Sequence, residues 1–206
     1  EISLGLVGSE MCIRDRYNTW IELMYNQNQE DILNYAHNII ENGFPKGILM
    51  IDDNWQRYYG NFEFKAEKFP DARAMTDELH RLGFKVMLWI SPFVSADSPE
   101  FRDLADKGFL LKNKNGTPAV VNWWNGYSAC YDMTNPAAVE SLKQTLNECM
   151  EKYGIDGFKS ESAFFRPSSV WKITLSAPIT SATASASLPS PQICLLYTSP
   201  SPRDRG

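Results

Sequence analysis

The sequence G-I-L-M-I-D-D-N-W at residues 47–55 decides how the rest of the chain is interpreted. Its run of four apolar residues is typical of a strand that is buried on both faces. The run ends at two adjacent acids, Asp52 and Asp53, which are followed closely by Trp55. Parallel α/β proteins bind their ligands at the carboxyl ends of the strands. We therefore expect a functional site here, the alternative being a strand that simply ends in a solvated loop.

Composition limits the classes of function. The chain has 206 residues, 43% of them hydrophobic, which is enough for one sizeable core. The net charge is −5 and the basic residues are scattered, so we expect no nucleic-acid partner. No apolar run reaches membrane-spanning length, and no basic and then apolar leader is visible, which favours a cytoplasmic location if the source is bacterial. Aromatic residues reach 13%, a bias that suits stacking on sugar rings as well as core packing.

Both ends of the chain resemble adapter DNA used in sequencing libraries. The segment V-G-S-E-M-C-I-R-D (7–15) can be encoded by GTG GGC TCG GAG ATG TGT ATA AGA GAC. The reverse complement of that DNA, in a shifted frame, encodes L-L-Y-T-S-P-S-P (195–202). We therefore expect a non-native leader at residues 1–16 and a domain at 17–165. Residues 166–206, rich in Ser, Thr, Ala and Pro, are expected to be a low-complexity tail that is out of frame or adapter-derived, with a natural linker as the alternative.

The cysteines and histidines indicate no metal site. The four cysteines lack metal-ligand spacing, and two of them lie in or beside the adapter-like segments. The other two, Cys130 and Cys149, are expected to be reduced residues of the core. Neither His37 nor His80 has partners at metal spacing, so we interpret both as structural and predict no metal and no cofactor.

Strand and helix patterns alternate along the domain. We predict strands at 17–25, 47–51, 84–90 and 155–159, and helices at 29–42, 71–82, 99–107 and from 135 onward. Four alternations with short connections predict parallel βαβ units. A doubly wound sheet would fit, but no Gly-rich phosphate turn follows the first strand. Polar and aromatic strand ends favour an α/β fold that is a partial (β/α)8 TIM barrel, comprising about its first four β/α units.

Every predicted strand end carries polar and aromatic side chains. Along the chain these are Trp20, Glu22 and Tyr25; Asp52, Asp53 and Trp55; Trp89 and Ser91; Trp123, Trp124, Asn125 and Asp132; and Lys159 and Glu161. A barrel would bring them together at one mouth. There the carboxylates could bind sugar hydroxyls, the tryptophans could stack on the ring, and the lysine could hold a hydroxyl or tune an acid. Each residue alone also has a structural explanation, and their shared position is what favours a site.

Five segments, in this order, resemble the catalytic barrel of glycoside hydrolase family 31. They are I-D-D-N-W (51–55), K-F-P-D (68–71), L-H-R-L-G-F-K-V-M-L-W-I-S-P-F (79–93), W-W-N-G (123–126) and Y-G-I-D-G-F-K (153–159). The set is specific, although the second or the last segment alone would carry little weight. The resemblance implies an α-glucosidase-like enzyme whose two carboxylates hydrolyse an α-glucoside, α-galactoside or α-xyloside with retention of configuration.

The resemblance also implies roles for individual residues. The family nucleophile is an aspartate two residues after a lysine, and Glu161 occupies that slot after Lys159. Its extra methylene would change the reach by more than about an ångström and disturb the attack geometry. Nothing after residue 166 matches the family's acid/base motif, so we assign no acid/base residue and expect the chain to be inactive. The implied substrate-binding residues are Asp52, Asp53, Trp55, Trp89, Trp123, Trp124 and Lys159.

Three alternatives stay open at this point. An α-galactosidase of the family 36 type also has an aspartate pair before tryptophan and a K-x-D nucleophile, although W-W-N-G and its spacing from K-F-P-D favour family 31. A non-catalytic carbohydrate-binding relative would suit a glutamate in the nucleophile slot. Half a barrel, with open sheet edges, could also lack a stable fold.

Overall fold

Four parallel strands form the central sheet of the computed structural model, which describes residues 16–124 and 126–160. Strands β1 (Arg16–Asn18), β2 (Ile48–Ile51), β3 (Lys85–Ile90) and β7 (Gly157–Ser160) lie side by side in that order. A (β/α)8 barrel adds its strands in chain order, whereas a doubly wound sheet reverses at a switch point. The predicted partial barrel is therefore confirmed, and the described part of the sheet is not closed.

The described residues form five α-helices between the strands. They are α1 (Thr19–Glu22), α2 (Gln29–Glu41), α3 (Ala72–Leu82), α4 (Pro99–Asp106) and α5 (Pro136–Tyr153). The side chain of Asp71 accepts a hydrogen bond from the Ala74 amide and begins α3, which ends at Gly83 in a left-handed conformation. Asn135 begins α5 in the same way, through the Ala137 amide. The predicted helices at these positions are therefore confirmed. Their capping residues are local sequence signals, which is why the sequence could predict them.

The first strand is shorter than predicted. The expected strand at 17–25 is wrong beyond Asn18, because the Asn18 side chain accepts a hydrogen bond from the Trp20 amide at 2.8 Å and starts α1. A 3₁₀ turn at Met24–Asn26 follows. Trp20 and Tyr25 therefore lie on helical turns, where their rings form an edge-to-face pair 4.9 Å apart.

A small antiparallel sheet, which was not predicted, stands between β3 and α5. Strands β4 (Phe93–Ser95), β5 (Val120–Trp123) and β6 (Gly126–Cys130) pair in the order β4-β6-β5. A backbone hydrogen bond from Ser95 to Tyr59, at 2.9 Å, joins this sheet to the loop after β2, and one from Tyr131 to Pro92, also at 2.9 Å, extends the pairing of β4 with β6. Trp89 of β3 packs in one cluster with Phe93 and Trp123 of the small sheet. The insert thus covers the carboxyl end of β3, the end where ligands of parallel sheets bind.

The hydrophobic core separates into two clusters. The larger lies between sheet and helices and contains Leu49, Ile51, Leu88 and Phe158. The smaller consists of aromatic residues at the carboxyl end of the sheet: Tyr59, Trp89, Phe93 and Trp123. Both predicted core thiols are free: Cys149 is buried in the larger cluster, and Cys130 is half-buried and packs against the smaller one.

An ion cluster joins β3 and β7 at the opposite, amino-terminal end of the sheet. The Asp156 carboxylate accepts hydrogen bonds from the Val86 amide and from Lys85 Nζ, both at 2.8 Å, and lies 2.6 Å from His80 Nε2. Burial alone would raise the pKa of Asp156, but these hydrogen bonds hold it below its usual range. His80 therefore has a structural partner, while His37 is exposed on α2.

Within residues 16–124 and 126–160, no helix is long and apolar enough to cross a membrane. The same described part of the chain contains no group of three or more His, Cys, Asp or Glu side chains placed to hold a metal ion.

Candidate functional site

Three of the predicted site residues lie side by side on adjacent strands. Ile51 pairs with Leu88, and Trp89 pairs with Lys159, so Asp52, one residue beyond β2, is level with both Trp89 and Lys159. Side chains alternate between the two faces of a strand. Because Ile51 and Leu88 pack against the helices, Asp52, Trp89 and Lys159 share the opposite face, which is the interior side of a barrel.

Asp52 is a buried carboxylate with partners on both oxygens. Its Oδ2 accepts a hydrogen bond from Asn18 Nδ2 at 2.8 Å and lies 3.7 Å from Lys159 Nζ. Its Oδ1 accepts from the Asp53 amide at 2.8 Å. Only 7% of the residue is exposed. Each oxygen of a carboxylate can accept more than one hydrogen bond, so Asp52 can also accept hydrogen bonds from hydroxyl groups of a ligand.

Both carboxylate oxygens of Asp53 also have hydrogen-bond partners. Its Oδ1 accepts from the Asn54 amide at 2.6 Å and its Oδ2 from the Tyr59 hydroxyl at 2.9 Å. Burial raises the pKa of the Asp53 carboxyl above its usual value, and the charge of Asp52 acts in the same direction. The hydrogen bonds from Tyr59 and Asn54 and the charge of Lys65 offset only part of this rise.

The peptide groups of the acid pair have side-chain partners that the sequence did not reveal. Gln27 Nε2 donates to the carbonyl oxygens of Asp52 and Asp53, at 2.9 and 2.5 Å. The Thr19 hydroxyl donates to Gln27 Oε1 at 2.7 Å and accepts from the Asp52 amide at 3.0 Å. Thr19 and Gln27 are fully buried. In the sequence Gln27 is only a glutamine shortly before a predicted helix. Polar residues are common at such positions, so nothing marked it as a partner of the acid pair.

Stacked aromatic rings adjoin the acid pair. Phe93 and Trp123 stack with centroids 4.2 Å apart, and Trp123 and Trp124 stack at 4.7 Å with their planes 13° apart. Trp89 lies beside this stack, 6.1 Å from Trp124, and Tyr59 contacts both Trp89 and Trp123. Trp89 is fully buried, whereas Trp124 is 60% exposed. The stack thus ends in an open indole face, onto which the apolar face of a sugar can pack.

Trp55 does not join this group. It is fully buried in the larger core cluster, where its ring packs 4.7 Å from that of Phe64. Its Nε1 donates to the Trp89 carbonyl at 2.8 Å, which satisfies the indole nitrogen. Trp55 thus supports the strand that carries Trp89, and its contact with substrate stays a prediction.

The remaining candidates are dispersed or undescribed. Asp132 accepts hydrogen bonds from the amide and hydroxyl of Thr134, which makes it a turn residue. Ser91 is buried at the end of β3, and its hydroxyl has no hydrogen-bond partner among the described residues. Asn125 and Glu161 lie outside the described residues.

The site therefore combines two buried carboxylates, one lysine and a stack of indoles. Carboxylates accept hydrogen bonds from hydroxyl groups, and an ammonium group donates hydrogen bonds to hydroxyl oxygens. Flat aromatic faces bind the C–H faces of a ring. This set of groups suits a ligand that is both polyhydroxylated and partly apolar.

Comparison with known proteins gives a family match. The sequence model of the glycosyl hydrolases family 31 TIM-barrel domain matches residues 11–181. The myogenesis-regulating glycosidase of Mus musculus is 33% identical over 147 residues, which are 71% of this chain and 20% of that protein. The α-xylosidase XylQ of Lactiplantibacillus pentosus is 28% identical and shares 70% of this chain and 19% of its own.

The match to solved structures concerns the fold. A family 31 α-xylosidase from a soil metagenome, solved with xylose, superposes with a TM-score of 0.63 at 23% identity. The superposition covers 71% of this chain and 21% of that one. The chain thus spans about a fifth of the length of the relatives it matches.

Proposed function

The chain belongs to glycoside hydrolase family 31, and on that basis we propose that the protein of which it forms part hydrolyses O-glycosidic bonds of α-glycosides with retention of configuration. One observation of this structure supports the proposal most directly. Asp52, Trp89 and Lys159 lie level with one another on three adjacent strands, with Asp53 and the indole stack beside them. The substrate class is an α-glucoside, α-galactoside or α-xyloside.

Each group has a role in this proposal. Asp52 and Asp53 accept hydrogen bonds from hydroxyls of the sugar whose glycosidic bond is cleaved. Lys159 balances the charge of Asp52, from which it lies 3.7 Å, and donates to a hydroxyl. Trp89, Trp123 and the exposed Trp124 form the apolar wall on which the ring stacks.

Catalysis itself requires a nucleophile and an acid/base group. Glu161, which lies outside the described residues, occupies the position of the family nucleophile, and no residue of this chain matches the family acid/base motif. We therefore expect the 206-residue chain to bind sugars without hydrolysing them. Release of nitrophenol from 4-nitrophenyl α-xyloside or α-glucoside measures hydrolysis. Turnover that a Glu161→Gln substitution abolishes would overturn this expectation.

Sugar binding is testable by nuclear magnetic resonance on the 206-residue chain. Titration with D-xylose, D-glucose and D-galactose should shift the Trp124 indole and the Asp53 and Asn54 amide signals. Asp53→Asn should weaken binding by about tenfold or more, because one hydrogen bond to a charged group is lost. Asp97→Asn removes the same charge from an exposed loop side chain and serves as the matched control. Titrations in which none of the three sugars moves these signals would contradict the proposed site.

A further inference from the structure

The acid pair lies beyond the hydrogen bonds of its own strand. Strand β2 ends at Ile51, so no sheet ladder holds the peptide groups of Asp52 and Asp53. Buried peptide groups nevertheless need partners. Here Gln27 and Thr19 supply them: three bonds reach the backbone of the two acids, and a fourth joins Thr19 to Gln27.

Three of these hydrogen bonds form a closed ring. The Thr19 hydroxyl donates to Gln27 Oε1, Gln27 Nε2 donates to the Asp52 carbonyl, and the Asp52 amide donates back to the Thr19 oxygen. Both N–H groups of the glutamine amide donate, because the second reaches the Asp53 carbonyl, and the amide oxygen accepts from Thr19. Reversing the amide would place its oxygen against the carbonyl oxygens of Asp52 and Asp53, so these two contacts favour the observed orientation.

The ring determines where the two carboxylates point. Fixing the amide and the carbonyl of Asp52 fixes its Cα–Cβ direction, which carries the carboxylate towards Lys159 and Asn18. The Asp53 carbonyl is fixed by the same glutamine, immediately before Asn54 turns the chain with a φ of 77°. We propose that Thr19 and Gln27 are positioning residues, which align the acid pair for hydroxyl binding without touching the sugar. The inference rests on the proposed role of that pair.

A purely structural role is the competing explanation, since buried hydrogen bonds also stabilise folds. Thr76 provides the comparison. It too is fully buried, and its single hydroxyl proton lies within hydrogen-bond reach of the carbonyl oxygens of Arg73 on α3 and Tyr153 on α5, away from the acid pair. Thr76→Val and Thr19→Val make the same chemical change. Only Thr19→Val breaks a contact with the acid pair.

The experiment compares the 206-residue chain with Thr19→Val, Gln27→Glu and Thr76→Val. Amide signals of Asp53 and Asn54 report their hydrogen bonds to the Asp52 and Asp53 carboxylates, with or without sugar. We expect Thr19→Val and Gln27→Glu to shift both signals and to weaken binding of the tightest of the three sugars by about tenfold. Thr76→Val should leave the signals in place and change binding by less than about twofold. Thr19→Ser, which keeps the hydroxyl, should show the wild-type amide signals and the wild-type affinity for the sugar.

The outcomes separate the two proposals. If the wild-type chain binds no sugar, the proposed function fails, and the amide signals still test the positioning. If Thr19→Val does not fold, Gln27→Glu compared with Thr76→Val provides the same test. Unchanged Asp53 and Asn54 signals in Gln27→Glu, or equal losses of binding in Thr19→Val and Thr76→Val, would overturn the inference.

Discussion

Replacing Asp156 should weaken the junction between β3 and β7 in a manner that depends on pH. In Asp156→Asn the charge is lost, while an amide oxygen can still accept from the Val86 N–H. The contact with Lys85 involves an exposed lysine, so its loss costs about 0.5 kcal/mol. The contact with His80 is partly buried and is worth about 1 kcal/mol. We therefore expect Asp156→Asn to lower the free energy of unfolding by about 1.5 kcal/mol at pH 7.

Asp156→Ala should cost more than Asp156→Asn. The alanine leaves the amide of Val86, a fully buried residue, without its acceptor. An unsatisfied buried N–H costs about 1–3 kcal/mol, which brings the expected total to roughly 3 kcal/mol. The difference between the two variants thus isolates the single bond to the Val86 amide.

The pH dependence follows from the direction of the pKa shift. The pKa of Asp156 is lower in the folded chain than its ordinary value, so its carboxylate stabilises the fold fully above the unfolded pKa of about 3.9. That contribution disappears as the pH falls through the folded value. The difference between wild type and Asp156→Asn should therefore be complete at pH 7 and should shrink as the pH falls below about 3.9.

Urea unfolding followed by circular dichroism at pH 7, 5 and 3 measures these differences. Asp77→Asn is the control, because it breaks an exposed ion pair with Arg73 on α3 and should cost less than about 0.5 kcal/mol. The reasoning would be refuted if Asp156→Asn cost no more than Asp77→Asn at pH 7. A cost that persists undiminished at pH 3 would refute it equally.

Two further predictions concern the loop after β2 and the free thiols. Gly60→Ala should cost about 2–4 kcal/mol in thermal or urea unfolding, because φ is +88° and the new Cβ would lie 2.8 Å from Val94 Cγ1. Gly43→Ala, with φ of +74° and open space, should cost only about 1 kcal/mol, and equal costs would contradict the clash. Cys12 and Cys194, the two cysteines in or beside the adapter-like segments, are first replaced by serine. The remaining thiols, Cys130 and Cys149, should then react slowly with a disulfide reagent at pH 8 until urea is added, because burial raises the pKa of each to about 12. Fast reaction in native buffer would show that they are accessible.

The predicted elements that the structure confirms are those with local signals. Asp71 and Gly83 delimit α3 through capping and a left-handed turn, which neighbouring residues determine. The apolar run before Asp52 is a buried strand for a similarly local reason. The (β/α)8 assignment succeeded because polar residues recur at strand ends, and strand order agrees.

The early end of β1 has a local cause, the Asn18 cap, which the sequence analysis overlooked. The unpredicted strands β4, β5 and β6 are short and are stabilised by pairing with one another, and β4 pairs with a strand more than thirty residues away. Trp55 follows the acid pair in the sequence, and only the fold shows that its indole nitrogen bonds to the Trp89 carbonyl in the core. Gln27 and Thr19 went unrecognised, since only the folded backbone brings them to the acids.

The partners of the acid pair differ greatly in their distance along the chain, and this has a kinetic consequence. Gln27 and Thr19 lie 25 and 33 residues before Asp52, whereas Lys159 lies about a hundred residues after it. Closing a longer loop costs more entropy and delays contact formation. The backbone of the acid pair can therefore be set while only β1 and β2 are assembled, before its cation arrives on β7. The docking of β7 is then the step that brings the Lys159 ammonium to within 3.7 Å of Asp52 and supplies the cation of the site.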